Sequence, residues 1–295
     1  MGKQAIFTGA GVALVTPMLP DGSVNYKKLE ELVDWHVENG SDALIVCGTT
    51  GEAPTLKMDE HLEAIRVAVV RAAGRIPVIA GTGSNDTDHC INSCRQAQRL
   101  GADGLLLVTP YYNKTSQRGL IAHYTAVAAA TDLPLILYNV PSRTGVNIQP
   151  ATVAELAKLD TVAGLKQANG DLSSVAQIAA LCDLPIYSGN DDQIVPILSM
   201  GGKGIISVLS NVIPRETHDI CQAWFDGDPA ESLRLQLHWL DLANALFTDV
   251  NPIPVKAAMN LMGMEVGACR LPLYQMEEKT LAALEQVLRR HKLMQ

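Results

Sequence analysis

Eight short runs of β-branched and leucine-rich residues, each followed by a longer stretch of helical periodicity, constrain this chain more than any other feature. They fall at 11–15, 43–47, 78–80, 105–109, 135–139, 162–166, 186–188 and 205–208. Most are apolar on both faces, as strands buried beneath crossover helices must be, and the segments between them are long enough for parallel connections. The helices carry punctuation of their own. Asn25 is placed to cap a helix with Leu29, Leu32, Val33 and Val37 on one face, ended by Gly40. Asp59 and Glu60 suit the first turn of the next, Pro150 a first helical position and Asp171 an N-cap. An open doubly wound sheet would carry a nucleotide loop after its first strand, which Val15-Thr16-Pro17-Met18 is not. Residues 1–226 therefore read as an α/β catalytic domain, a (β/α)8 TIM barrel. Residues 227–295 read as a C-terminal helical extension, with helices at 229–247, 254–262 and 277–291.

A length of 295 residues holds one such barrel and its extension. The balance of 23 basic against 31 acidic side chains, a net charge of −8, leaves no footprint for nucleic acid or an anionic membrane. With 47% hydrophobic and 18% charged residues, the chain can bury a large core. No apolar run approaches the ~18 residues of a membrane span, and residues 1–9 lack the order of a secretory signal. Met1-Gly2 hints at myristoylation, but Ile6 stands where that motif wants Ser or Thr. The cysteines, at 47, 90, 94, 182, 221 and 269, are sparse and include no CxxC pair, which points to a reducing cytoplasm.

Barrel enzymes keep their chemistry at the C-terminal ends of the strands. Lys166 closes the sixth run after Val162-Ala163-Gly164-Leu165, at the rim of a water-poor barrel. Desolvation there lowers a lysine's pKa, and a free amine is what a Schiff-base nucleophile needs. A lysine at a strand exit is ordinarily solvated. Tyr138, ending the adjacent run, favours the nucleophile instead and becomes a candidate proton donor and acceptor. Thr49, Thr50 and Tyr112 suit either catalysis or ordinary loop and core roles, and spacing leaves both open. Arg143 is equally a surface arginine or a fork for a carboxylate.

Two absences narrow the chemistry. The seven histidines all fall within predicted helices, so none stands at a strand end to hold a catalytic metal. His89 with Cys90 and Cys94 resembles a metal cluster less than it does helix core. Phosphate in such barrels is bound by the loops after the seventh and eighth strands, and here Gly189-Asn190-Asp191-Asp192 brings two carboxylates that repel it. The glycine-rich stretch at 81–85 lacks a Walker or dinucleotide pattern and reads as a turn.

At Gly48-Thr49-Thr50-Gly51-Glu52, Thr109-Pro110-Tyr111-Tyr112-Asn113, Tyr138 through Gly145, Gly164-Leu165-Lys166 and Asn251-Pro252-Ile253-Pro254-Val255-Lys256 the sequence resembles the dihydrodipicolinate synthase family. That family sits among the pyruvate-dependent Schiff-base aldolases, which include N-acetylneuraminate lyase. The resemblance spans nearly the whole chain. It implies that Lys166 condenses with pyruvate and that the enamine attacks L-aspartate 4-semialdehyde, giving 4-hydroxy-tetrahydrodipicolinate for lysine biosynthesis. Tyr138 would shuttle protons through Thr49 and a Tyr112 donated by a neighbouring subunit. Thr50 and Gly189 would seat pyruvate, Ile206 would line its pocket through the main chain, and Arg143 would take the semialdehyde's carboxylate. The implied assembly is a homotetramer of tight dimers, without cofactor or metal beyond the covalent link to pyruvate.

Two departures stand near these sites: Thr115 replaces a common proline, and Gln167-Ala168-Asn169-Gly170-Asp171 replaces a usual Glu-Ala-Thr-Gly-Asn. A sialic-acid lyase or sugar-acid aldolase would share Lys166 and Tyr138, but usually lacks Ser142-Arg143. A catalytically inactive barrel kept as a binding protein would not need the intact set. In lysine-inhibited relatives the effector site matches His61, Asn85 and Tyr111. His89 stands there in place of a glutamate, and Met58 in place of a polar or aromatic residue, so feedback by lysine is expected to be weak or absent.

Overall fold

A computed structural model describes residues 3–294; Met1-Gly2, weighed above as a myristoylation signal, lies outside them. Eight parallel strands close into a barrel in sequence order, the last pairing with the first. They are β1 Gly9–Ala13, β2 Ala43–Val46, β3 Val78–Gly81, β4 Gly104–Val108, β5 Leu135–Asn139, β6 Val162–Gln167, β7 Ile186–Ser188 and β8 Gly204–Ser207. Nearly every strand residue is buried, the consequence of runs that are apolar on both faces. Inward side chains such as Ile45, Ile79, Leu106, Ile136 and Ile206 fill the barrel. Phe7 and Tyr187 stack at 4.5 Å within that cluster, and the Tyr187 hydroxyl donates to the Phe7 carbonyl at 2.7 Å. Because all strands are parallel, their C-terminal ends share one face.

The predicted caps are present. Asn25 accepts from the Lys28 N–H at 3.1 Å, Asp171 from the Ser173 N–H at 2.9 Å, and Pro150 opens the helix Pro150–Leu156. Most of the other bounds fall within a residue of expectation, and two elements depart further. The first strand runs two residues earlier than the 11–15 read from sequence, because the Val15 N–H turns to the Asn211 side chain at 3.1 Å and the ladder ends there. The expected helix 229–247 is two, Pro229–His238 and Leu240–Ala245, broken at Trp239, whose ring packs 4.7 Å from that of His291. The following helices, Ile253–Leu261 and Glu278–Arg290, bury Val255, Ala258, Met259, Leu284 and Leu288 in the same apolar layer that joins the strands to their helices. Among the described residues no helix is long and apolar enough to cross a membrane.

Candidate active site

Strand alternation decides which side chains meet inside a barrel, so one extra residue in a strand reverses the choice. Leu135 of β5 pairs with Val162 of β6, yet Ile136 pairs with Gly164, leaving Ala163 as the surplus. That irregularity sets Tyr138 opposite Lys166. Without it Tyr138 would face Leu165. The Lys166 amine consequently lies over the Tyr138 ring, 4.3 Å from its centre.

Lys166 is only 5% exposed. Burial lowers its pKa to about 7; the Asp191 carboxylate opposes this and the Arg143 guanidinium adds to it. Burial raises the pKa of Tyr138, against smaller opposing effects of Arg143 and of a hydrogen bond with Thr49. The result is a partly neutral amine beside a phenol that keeps its proton near neutral pH.

These groups border a cavity of about 170 Å³ with Thr49, Thr50, Ser142, Arg143, Gly189 and Val208. That is smaller than the ~300–1,000 Å³ of drug-sized sites and suits a reactant of few heavy atoms. Thr50 is buried, whereas Arg143 is exposed at the end of the helical turn Pro141–Thr144. Among the described residues no carboxylate pairs with Arg143, which leaves its fork available. Gly189 has a steric reason: a Cβ there would stand 2.6 Å from that of Ala168 and 3.2 Å from Lys166 Cε. Its N–H already donates to the Gln167 carbonyl at 2.8 Å, so the position supplies room rather than a donor. The Ile206 side chain belongs to the barrel's interior cluster, and Val208 forms the cavity wall at that strand. Tyr112 is 88% exposed and has a positive φ of 70°, uncommon for a bulky residue. It does not reach the cavity of its own subunit.

Residues to which the sequence alone assigned no catalytic or binding role complete the site. Asp191 is buried, accepts from Ser207 Oγ at 2.5 Å and from the Val208 and Leu209 N–H groups at 3.1 Å each. It occupies the Val208 and Leu209 N–H donors that an anion would use at this end of a barrel. Asp192 points outward and is exposed. Gln167 accepts from Asn139 Nδ2 at 2.8 Å and donates to Ser174 Oγ at 3.2 Å, so the departure after Lys166 is absorbed in a neutral amide network. Glu52 and Lys256 form a buried ion pair at 2.8 Å, and Asn251 donates to Thr50. The motif at 251–256 was visible in the sequence, but nothing local ties it to a loop two hundred residues earlier.

A second cavity of about 290 Å³ shares Thr49 and Tyr138 with the first and is lined by Met58, His61, His89 and Tyr111. His61, although helical, reaches the end of β3, with Nε2 2.9 Å from the Gly81 carbonyl. Cys90 and Cys94 are fully buried, and among the described residues no group of three His, Cys, Asp or Glu could hold a metal.

Known proteins resemble this arrangement throughout. The sequence model of the Dihydrodipicolinate synthetase family matches residues 6–291. A 4-hydroxy-tetrahydrodipicolinate synthase of Caldicellulosiruptor bescii is 55% identical over 286 residues, 97% of each chain. A dihydrodipicolinate synthase of Cyanidioschyzon merolae, solved with lysine bound, superposes with a TM-score of 0.96 at 42% identity, covering 99% of this chain and 100% of that one. A structure described as the first monomeric dihydrodipicolinate synthase variant gives 0.95 at 43% identity, over 98% of each chain.

Proposed function

Because this chain belongs to the dihydrodipicolinate synthetase family, we propose a residue-level account of its reaction, carried by the buried Lys166 amine lying against Tyr138 in a small cavity. The protein is a lyase that condenses pyruvate with L-aspartate 4-semialdehyde to give 4-hydroxy-tetrahydrodipicolinate, in diaminopimelate and lysine biosynthesis. The neutral Lys166 amine adds to the C2 ketone of pyruvate, and water leaves to give an iminium on Nζ. Loss of a C3 proton makes the enamine, whose carbon attacks the aldehyde of the second substrate. A C–C bond forms and the aldehyde oxygen takes a proton. The amine of the semialdehyde then adds to C2 and displaces Lys166 as the ring closes.

Tyr138 moves these protons. Its phenol is protonated near neutral pH and in hydrogen-bond contact with Thr49, so it can give a proton to a departing oxygen and recover one. Thr50, the open space at Gly189 and the main chain of Ile206 seat pyruvate. Arg143 pairs with the semialdehyde's carboxylate, an interaction worth about 1.5–3 kcal/mol. No metal or organic cofactor takes part in these steps; the covalent link to pyruvate supplies the electron sink. Tyr112 completes the relay in a neighbouring subunit, within a homotetramer of tight dimers. Its exposure and turned-out backbone support that role. The enzyme works in the cytoplasm, with no nucleic-acid or membrane partner.

Borohydride added with pyruvate should fix a reduced adduct on Lys166, located by mass spectrometry, and both substrates should disappear when the semialdehyde is supplied. An adduct on another lysine, or none, refutes the assignment. Arg143→Ala should damage turnover far more than adduct formation; equal loss of both would remove Arg143 from substrate recognition.

A further inference from the structure

One wall of the Lys166 cavity comes from outside the barrel, from Phe247 and Asn251 in the segment between helices Leu240–Ala245 and Ile253–Leu261. Asn251 is only 5% exposed, and its Nδ2 donates to Thr50 Oγ1 at 2.9 Å. The segment is anchored close by. Lys256 Nζ, one helical turn further on, donates to Glu52 at 2.8 Å and to the carbonyls of Thr16 and Ala268 at 3.1 and 2.7 Å. Glu52 also accepts from the Arg270 N–H at 2.8 Å. Asn251 and the Gly48–Glu52 loop are thus tied together at two points.

A threonine hydroxyl has one hydrogen to give. With Asn251 donating to its oxygen, Thr50 keeps that hydrogen for the cavity. If Thr50 instead gave it to the asparagine, only lone pairs would face an incoming carboxylate. Asn251 Oδ1, meanwhile, is buried with no hydrogen-bond partner among the described residues, so the amide spends its one observed side-chain hydrogen bond on Thr50. We propose that Asn251 is a positioning residue that holds the Thr50 hydroxyl as a donor to the carboxylate of pyruvate. The proposal rests on the reading of Lys166 as the Schiff-base residue. It assigns to the C-terminal extension a direct part in setting the polarity of the pyruvate site.

The test is the pyruvate concentration that half-saturates borohydride-trapped adduct, measured for wild type, Asn251→Ala, Asn251→Asp, Thr50→Val and the double variant Asn251→Ala with Thr50→Val. Asn251→Ala should raise it about tenfold, the size of one lost hydrogen bond to a charged group, with a much smaller change in turnover at saturating pyruvate. Asn251→Asp keeps size and shape but takes the Thr50 hydrogen, so it should raise the midpoint further. In the Thr50→Val background, Asn251→Ala should add almost nothing. An unmoved midpoint, aspartate milder than alanine, or fully additive effects would each overturn the proposal. Should Asn251→Ala fail to fold, Asn251→Asp measured in the wild-type and the Thr50→Val backgrounds decides: a rise confined to the wild-type background supports the proposal, and an equal rise in both overturns it. The wild-type adduct in the same series tests Lys166 separately, so an unmoved midpoint on an intact adduct sinks this inference and leaves the reaction standing.

Discussion

Lys166 holds its amine in a place where charge is disfavoured, and two consequences can be measured. Its pKa of about 7 in the folded protein, lowered by burial, means that the rate of adduct formation should climb with pH through about 7 and then level off. The Asp191 carboxylate raises that pKa, so Asp191→Asn should move the rising limb to lower pH; movement to higher pH would show that Asp191 acts on the amine in some other way. Stability follows the same shift. Below pH 7 the amine is charged in both states, and burying that charge costs the fold on the order of 5 kcal/mol. Between about 7 and the ordinary lysine value of 10.5 the unfolded chain binds the extra proton, so stability rises with pH and the cost fades. Lys166→Met should therefore abolish the adduct while raising the urea midpoint of unfolding at neutral pH, and the gain should shrink above pH 10. A variant less stable than wild type at pH 7 would contradict the cost of the buried amine.

At the scale of elements, the site is held by pairings between distant segments. Lys256, in the first turns of the helix Ile253–Leu261, is buried with Glu52 and has acceptors on three sides. Lys256→Met leaves the Glu52 charge uncompensated and two carbonyls unpaired, and should cost about 3–5 kcal/mol in urea unfolding. Adding Glu52→Gln removes the orphaned charge and should recover part of that loss; a Lys256→Met cost below about 1 kcal/mol would mean that the pair is solvated instead, as exposed pairs of that worth are. The sequence made the strands themselves legible, because apolar runs of four or five residues between helical stretches have few other readings. It also made Lys166 and Tyr138 legible as neighbours at strand ends. It could not show that the surplus Ala163 puts them on one face, since a bulge leaves hydrophobicity unchanged. Asp191 read as half of a repelling pair, but its role depends on the N–H groups of Val208 and Leu209, just past β8, that sequence does not place beside it. Asn251 escaped for the same reason, its partner Thr50 being brought close only by barrel closure and the return of the extension.

At the scale of the whole molecule, the exposed Tyr112 and the second cavity each make a prediction. If Tyr112 serves a neighbour's site, subunits carrying Tyr112→Phe and Lys166→Ala, each inactive or weak alone, should regain activity when unfolded and reassembled together. A mixed dimer then contains one site with both residues intact, and no recovery would show that Tyr112 does not cross. The second cavity matches the place where the resemblance puts lysine in feedback-inhibited relatives, and its walls decide how well an ammonium group could bind. His89 and Met58 line it where a carboxylate and a polar or aromatic group are usual. His61 has its pKa lowered, chiefly by burial, which keeps it neutral near pH 7. Asp86 is no replacement for the missing carboxylate: it caps the helix Thr87–Arg99 by accepting the His89 N–H at 2.8 Å, and neither it nor the exposed Asp88 lines the cavity. Asn85 is turned toward the Tyr111 carbonyl at 3.4 Å. Among the described residues of this chain the cavity therefore offers an α-ammonium no anionic partner, a loss of about 1.5–3 kcal/mol, or roughly ten- to a hundredfold in affinity. Lysine titrated into the assay at saturating pyruvate should inhibit only weakly, and half-inhibition below about 1 mM, near 4 kcal/mol of binding, would show that neutral partners suffice to hold it.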